Sequence, residues 1–200
     1  ARALQLDDAE TTHLHDLARA AAPGLIRKRP RKAASPVRPT LQRFLDTIVD
    51  TPTYVSNRRK DIVATNALGA ALLAPIIDEP ANARNNARFV FLNPASHIYY
   101  PDWEAGARSI VASLRIEVAR NPHDKALTDL IGELVTRSDV CRTMWAAHDV
   151  RFHRNGTKRI HHPVAGTMTL SYESMLLTAD EGLVLNAYTA EPGSSAAEAL

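Results

Sequence analysis

The chain holds one cysteine in 200 residues. An internal disulfide is therefore excluded, and the usage fits a reducing compartment. Its eight glycines are scattered. None forms a GxGxxG turn or a P-loop, so the phosphate-cradling chemistry of such loops has no support. No apolar run reaches the ~20 residues of a membrane helix. No secretory leader is visible, and a cytoplasmic location without membrane contact is expected. His153, His161 and His162 crowd together, but adjacent strand residues point to opposite faces, and there is no helical His pair or second cysteine to complete a site. Neither a metal nor another cofactor is expected. Cys141 and His148 fall on one helix about two turns, or ~10 Å, apart, too far for a nucleophile–base pair. Paired carboxylates are absent as well. With no acid–base or nucleophile set, an enzyme is not expected.

What remains is a chain long enough to bury a core without staples. Its net charge of +2 hides an asymmetry. Residues 22–39 carry Arg27, Lys28, Arg29, Arg31, Lys32 and Arg38, no acid, and four prolines. Setting those six charges aside turns +2 into −4 for the remainder, so the body is not a basic nucleic-acid platform. The stretch reads as a solvated tether; the alternative is an arm lying along nucleic-acid phosphate.

The body alternates between two periods. Asp7 or Asp8 can cap a helix reaching Ala22. Thr40 is placed to cap a short helix carrying Leu41, Phe44, Leu45 and Ile48. Tyr54–Asn57 and Asp61–Ala64 read as strands. Asn66 can cap a helix over Ala67–Leu73, Pro75 and Pro80 punctuate a loop, and Asn85–Leu92 reads as helix. The strongest amphipathic signal is the helix from Asp102 to Arg120, where Trp103, Ala107, Ile110, Val111, Leu114 and Val118 share one face and Arg115 sits at its edge. Asp124–Arg137 follows. Ser138 then caps a helix carrying Val140, Met144 and His148, with Cys141 and Trp145 beside them. Beyond it, Met168, Leu170 and Tyr172 alternate with polar neighbours and Leu183–Ala190 forms a further run. This pattern predicts an antiparallel sheet with one face covered. Asn155-Gly156 reads as a hairpin turn, and placing Phe152 opposite Ile160 across it requires a bulge.

Taken in order, these pieces resemble a family. Tyr54-Val55-Ser56-Asn57-Arg58-Arg59 leads to Asp61-Ile62-Val63-Ala64-Thr65-Asn66. Arg88-Phe89 runs to Asn93-Pro94, and Asp102-Trp103-Glu104 to Leu114-Arg115. Then come Trp145-Ala146-Ala147-His148-Asp149-Val150, His162-Pro163-Val164-Ala165-Gly166 and Tyr188-Thr189-Ala190-Glu191-Pro192-Gly193-Ser194. Their order and spacing resemble the ligand-binding domain of MmyB-like bacterial transcription regulators. The resemblance implies an α+β fold, a PAS-like antiparallel sheet flanked by helices over residues 40–194, with a tail at 195–200. It also implies that residues 1–22 are the remnant helix of a helix-turn-helix DNA-binding domain of the XRE type, joined by the basic, proline-rich linker at 23–39. The chain departs from the pattern at His97, where an arginine is expected.

The resemblance further implies a sensor of small apolar, fatty-acid-like molecules. The DNA partner would be reached through the helix-turn-helix part, and a homodimer is a further partner expectation. The expected lining between sheet and helices is Phe89, Trp103, Ile110, Leu114, Met144, Trp145, Leu170 and Tyr172, with His148 or Arg115 near a polar end. For His148 the competing reading is a core histidine bonded to backbone, and for Trp103 and Trp145 simple core filling. The competing reading of the whole domain is a dimerisation or interaction module with a filled core and no ligand.

Overall fold

The computed structural model describes residues 37–147 and 155–200. Residues 1–36, with the expected remnant helix and most of the linker, lie outside the described residues, as do residues 148–154 with His148, Phe152 and His153. In chain order the elements are α1 (Pro39–Asp46), β1 (Thr53–Ser56), β2 (Ile62–Thr65), α2 (Ala67–Leu72), α3 (Ala74–Ile77), a 3-10 turn at Pro80–Asn82, and α4 (Asn86–Leu92). They continue with α5 (Ser96–Tyr99), α6 (Trp103–Arg120), α7 (Lys125–Arg137), α8 (Asp139–Ala146), β3 (Asn155–His162), β4 (Gly166–Leu176), β5 (Val184–Thr189) and α9 (Ser195–Ala199).

The strands form one sheet in the order β2-β1-β5-β4-β3, and every neighbouring pair is antiparallel. The fold class is α+β, as the sequence predicts. Strand alternation gives the sheet two different faces. On the outer face Val55, Ala64 and Leu185 meet Leu41 and Leu45 of α1 in a small separate core. On the inner face Ile62, Ile160, Met168, Leu170 and Tyr188 join the main core with residues of α2 and α4–α8.

Local chemistry sets most boundaries. Asn66, Asn85, Asp124 and Ser138 each accept a hydrogen bond from the backbone N–H three residues on, as capping side chains do. Asn66 also accepts from Thr53 N and donates to the carbonyls of Ile48 and Thr51, so one buried amide ties α2 to β1 and to the end of α1. Beside it, a Cβ on Gly69 would lie 2.2 Å from the Thr53 carbonyl oxygen, so only glycine lets α2 approach β1 this closely.

Four expectations change. Thr40 does not cap α1: the helix starts at Pro39, whose fixed φ and missing donor suit the first turn, and no side chain caps it. The segment at Pro75 is a short helix rather than loop, with the proline again in the first turn. Asn155-Gly156 is not a hairpin turn: the two residues open β3 and pair with Glu173 and Tyr172. The long partner strand β4 overrides the local turn preference. The reversal falls instead at Pro163–Ala165, held by His162, whose Nδ1 accepts from Val164 N and Ala165 N at 3.3 and 3.2 Å. Finally, residues 195–200 include a helix capped by Ser194, with Ala196 in the main core.

Candidate ligand-binding site

Between α6 and the inner face of the sheet lies a cavity of about 780 Å³. Its walls come from distant parts of the chain. β1 contributes Tyr54 and Ser56, β4 contributes Tyr172, Ser174 and Leu176, and β5 contributes Val184, Asn186 and Tyr188. Each set is spaced by two, so each is the inward side of its strand. Opposite them α6 presents Gly106, Ser109, Ile110 and Ser113. These are mostly small residues, one helical step around from the large apolar stripe. The small residues of this part of α6 face three tyrosines of the sheet across the gap.

The tyrosines are ordered by one another. Tyr54 stacks on Tyr188 with centroids 6.2 Å apart, and Tyr172 lies 6.4 Å from Tyr188. Tyr172 and Tyr188 are direct cross-strand partners, so they share the inner face. Burial pushes the Tyr54 hydroxyl far above its ordinary range and that of Tyr188 up to about 12.

Charge is uneven around the cavity. Arg58, Lys60, Arg120, Lys158 and Arg159 line it against Asp102 and Glu117. Both carboxylates are engaged. Asp102 takes two hydrogen bonds from Arg159, at 2.8 and 2.6 Å, rather than capping α6. Glu117 pairs with Arg58 at 3.3 Å and Arg120 at 3.9 Å. Lys158 places its ammonium 5.1 Å from the Tyr100 ring centre and 5.6 Å from that of Tyr172. Lys60 occupies the β1–β2 turn at φ 69, and desolvation lowers its ammonium to about 8, against the partial support of Glu117 and with the added repulsion of Lys158.

The expected site residues divide by location. Ile110 and Tyr172 come together on the cavity wall. Phe89, Leu114 and Leu170 are sealed in the main core, where Phe89 meets Tyr99 and Tyr100 edge-on. Trp103 turns toward α4 and α5: its Nε1 donates to Val90 O and Ser96 Oγ, and its indole stacks on His97 at 4.2 Å. Arg115 is buried, donates to the Trp145 carbonyl and lies 5.1 Å over the Trp145 ring. Met144 and Trp145 pack against the main core from α8. None of these seven is among the lining residues. Among the lining residues that sequence reasoning missed are Tyr54, Ser56, Lys60, Ser109, Ser113, Lys158, Ser174, Asn186 and Tyr188. Their signal was the break in pattern, polar or aromatic residues at inward strand positions and small ones beside an apolar helical stripe.

Residues 37–200 match the family described as MmyB-like transcription regulator ligand binding domain. The chain belongs to this MmyB-like family. The match extends the resemblance at both ends, taking in α1 and α9 and thus every described residue. By that description, the domain is the ligand-binding, regulatory part of a transcription regulator. No curated protein matches the chain. Among the described residues no helix is long and apolar enough to cross a membrane, and no cluster of His, Cys, Asp or Glu could hold a metal ion.

Proposed function

We propose that this domain senses a small molecule for a DNA-binding transcription regulator, and that an apolar, fatty-acid-like guest occupies the cavity between α6 and the sheet. The supporting observation is the hollow itself. Its volume of about 780 Å³ falls inside the ~300–1,000 Å³ range of small-molecule sites. In this reading Ile110 and Tyr172 touch the guest, and Phe89, Leu114 and Leu170 stiffen the wall behind them. Trp103, Arg115, Met144 and Trp145 belong to the helical side that registers occupancy. The sheet is read as PAS-like, the protein as cytoplasmic and non-enzymatic, and DNA contact as the task of an XRE-type helix-turn-helix part. Occupancy regulates only if the guest binds two arrangements of the protein with different affinity.

Native mass spectrometry of the purified chain, before and after denaturation, tests the reading together with melting in added fatty acid. A bound mass lost on denaturation and a raised melting temperature are expected. Identical masses and melting temperatures with and without fatty acid would remove the proposal.

Homodimerisation is the second reading. It is supported by Phe44 on α1 and Met175 on the outward side of β4, which are 54% and 45% exposed. Sedimentation at two concentrations separates it from a monomeric sensor.

A further inference from the structure

We infer that the β4–β5 loop, residues 177–183, links the cavity to the entry of α1, with Arg58 engaging it on the cavity side and Arg38 on the other. This rests on the sensing role proposed above and adds a route by which occupancy reaches the part of the chain that precedes the domain.

Arg58 lines the cavity, and its side chain is only 16% exposed. Its guanidinium joins α6 to the loop. Nε pairs with Glu117 of α6 at 3.3 Å, one Nη donates to Asn121 at the end of that helix at 3.1 Å, and the other donates to Glu181 of the loop at 2.8 Å. The turn that carries Arg58 is fixed at its base. Asp61 accepts 2.7 Å hydrogen bonds from Asn57 and Asn85 and pairs with Arg59, and Lys60 N donates to Asn57 O. The loop backbone lies directly on the guanidinium. A Cβ at Gly182 would stand 2.6 Å from Arg58 Nε, and the φ of +86 at this position is one that glycine adopts freely. Arg58 therefore cannot move toward the loop without moving it.

The loop residue just before Glu181 engages the N-terminal side. Asp180 accepts hydrogen bonds from both Nε and Nη2 of Arg38, at 2.8 and 2.7 Å. Arg38 immediately precedes α1, where the chain from residues 1–36 joins the described fold. A lone surface ion pair contributes little, but this one is two-pronged and grips a loop that is closed on itself. Leu177 N donates to Leu183 O, Asp180 N to Leu177 O and Leu183 N to Asp180 O. Leu177 and Leu183 also pack against the outer core that holds Leu41 and Leu45 of α1. Asp180, Glu181 and Gly182 therefore shift together. A guest that displaces Arg58 presses on one side of this unit and is felt at Arg38 on the other. Such coupling is reciprocal, so whatever pulls on Arg38 also changes the fit of the cavity wall.

A double-mutant cycle tests the link without requiring a guest. Hydrogen–deuterium exchange of the α1 amides is measured on the chain carrying Arg58→Gln, Asp180→Ala, both or neither. Arg58→Gln alone is expected to change α1 exchange at least about twofold, the low end of coupling between touching groups. In the Asp180→Ala background the same substitution should leave α1 exchange as it was, because the bridge to Arg38 is already gone. Glu181→Ala cuts the loop from Arg58 at a side chain that is 66% exposed, and should reproduce the result where Arg58→Gln does not fold. Equal effects of Arg58→Gln in the two backgrounds, or no effect in either, would overturn the link. Non-additive exchange supports it whether or not a fatty acid is bound. Additive exchange overturns it even where native mass spectrometry finds a guest, so the link and the sensing role fail separately.

Discussion

Along β4 the inward residues are Met168, Leu170, Tyr172, Ser174 and Leu176. The first two are fully buried in the core, whereas the last three border empty space. β3 repeats the contrast, with Ile160 sealed and Lys158 and Gly156 at the cavity. So does α6, where Ala107, Val111 and Leu114 pack while Gly106, Ser109 and Ser113 stand back. The same sheet face and the same helix therefore make a solid interior in one part and a chamber in another. Backbone spacing is shared, so side-chain volume and polarity decide which results. Close packing is the default of an interior. The chamber is the exception, and serines, glycines and an asparagine border it beside the tyrosines and cations.

Substitutions in the two parts should have opposite consequences. The largest effect is expected in the solid part. Leu170→Ala leaves a void where nothing can collapse and should cost about 2–5 kcal/mol in urea unfolding. A loss below about 1 kcal/mol there would mean that the interior is not tightly packed. In the hollow part, Ser109→Leu adds volume where there is room. It should change stability by less than about 1 kcal/mol, whereas overpacking a filled core typically costs about 1–3. The same variant should abolish binding of a fatty acid measured by calorimetry. If it destabilises as much as Leu170→Ala, the contrast between the two parts is wrong.

The smallest effect concerns pH. The Lys60 ammonium is lowered to about 8 from an ordinary 10.5. The folded protein therefore holds fewer protons than the unfolded chain between those values, and stability contributed at this residue rises with pH across that window. The penalty is full below about pH 8 and gone above 10.5. Glu117 opposes the shift and Lys158 adds to it. In melting curves, the advantage of Lys60→Gln over the wild type should therefore shrink as pH rises from 7 to 10. A pH-independent difference would show that the amine is not desolvated.

The sequence carried the fold further than it carried the site, and the reason is range. Asn66, Asn85, Asp124 and Ser138 cap helices through bonds to residues three positions away, so their role is visible in a short window. Alternation in Met168–Tyr172 is equally local. Asn155-Gly156 misled because the turn chemistry of two residues is weaker than eight residues of pairing with β4. The site's signal, a break in pattern at inward positions, marks residues without showing what they face. Hydrophobic periodicity identifies Phe89, Leu114 and Leu170 as interior, but cannot say whether an interior position faces a neighbour or a gap. The chamber needs Ser56, Ser113, Ser174 and Asn186 to converge from four elements. Nor does sequence announce that Lys60 adopts a left-handed backbone, since that follows from the Asn57–Asp61–Asn85 network.

β1 is only four residues long, and neighbours within it look in opposite directions. Tyr54 and Ser56 border the chamber, while Val55 between them rests on Leu41 and Leu45 of α1. The partition separating guest from N-terminal helix is thus a single extended backbone, without a cushioning layer. A guest that displaces the Tyr54 ring bears, through one peptide's thickness, on the seat of the helix that follows residues 1–36.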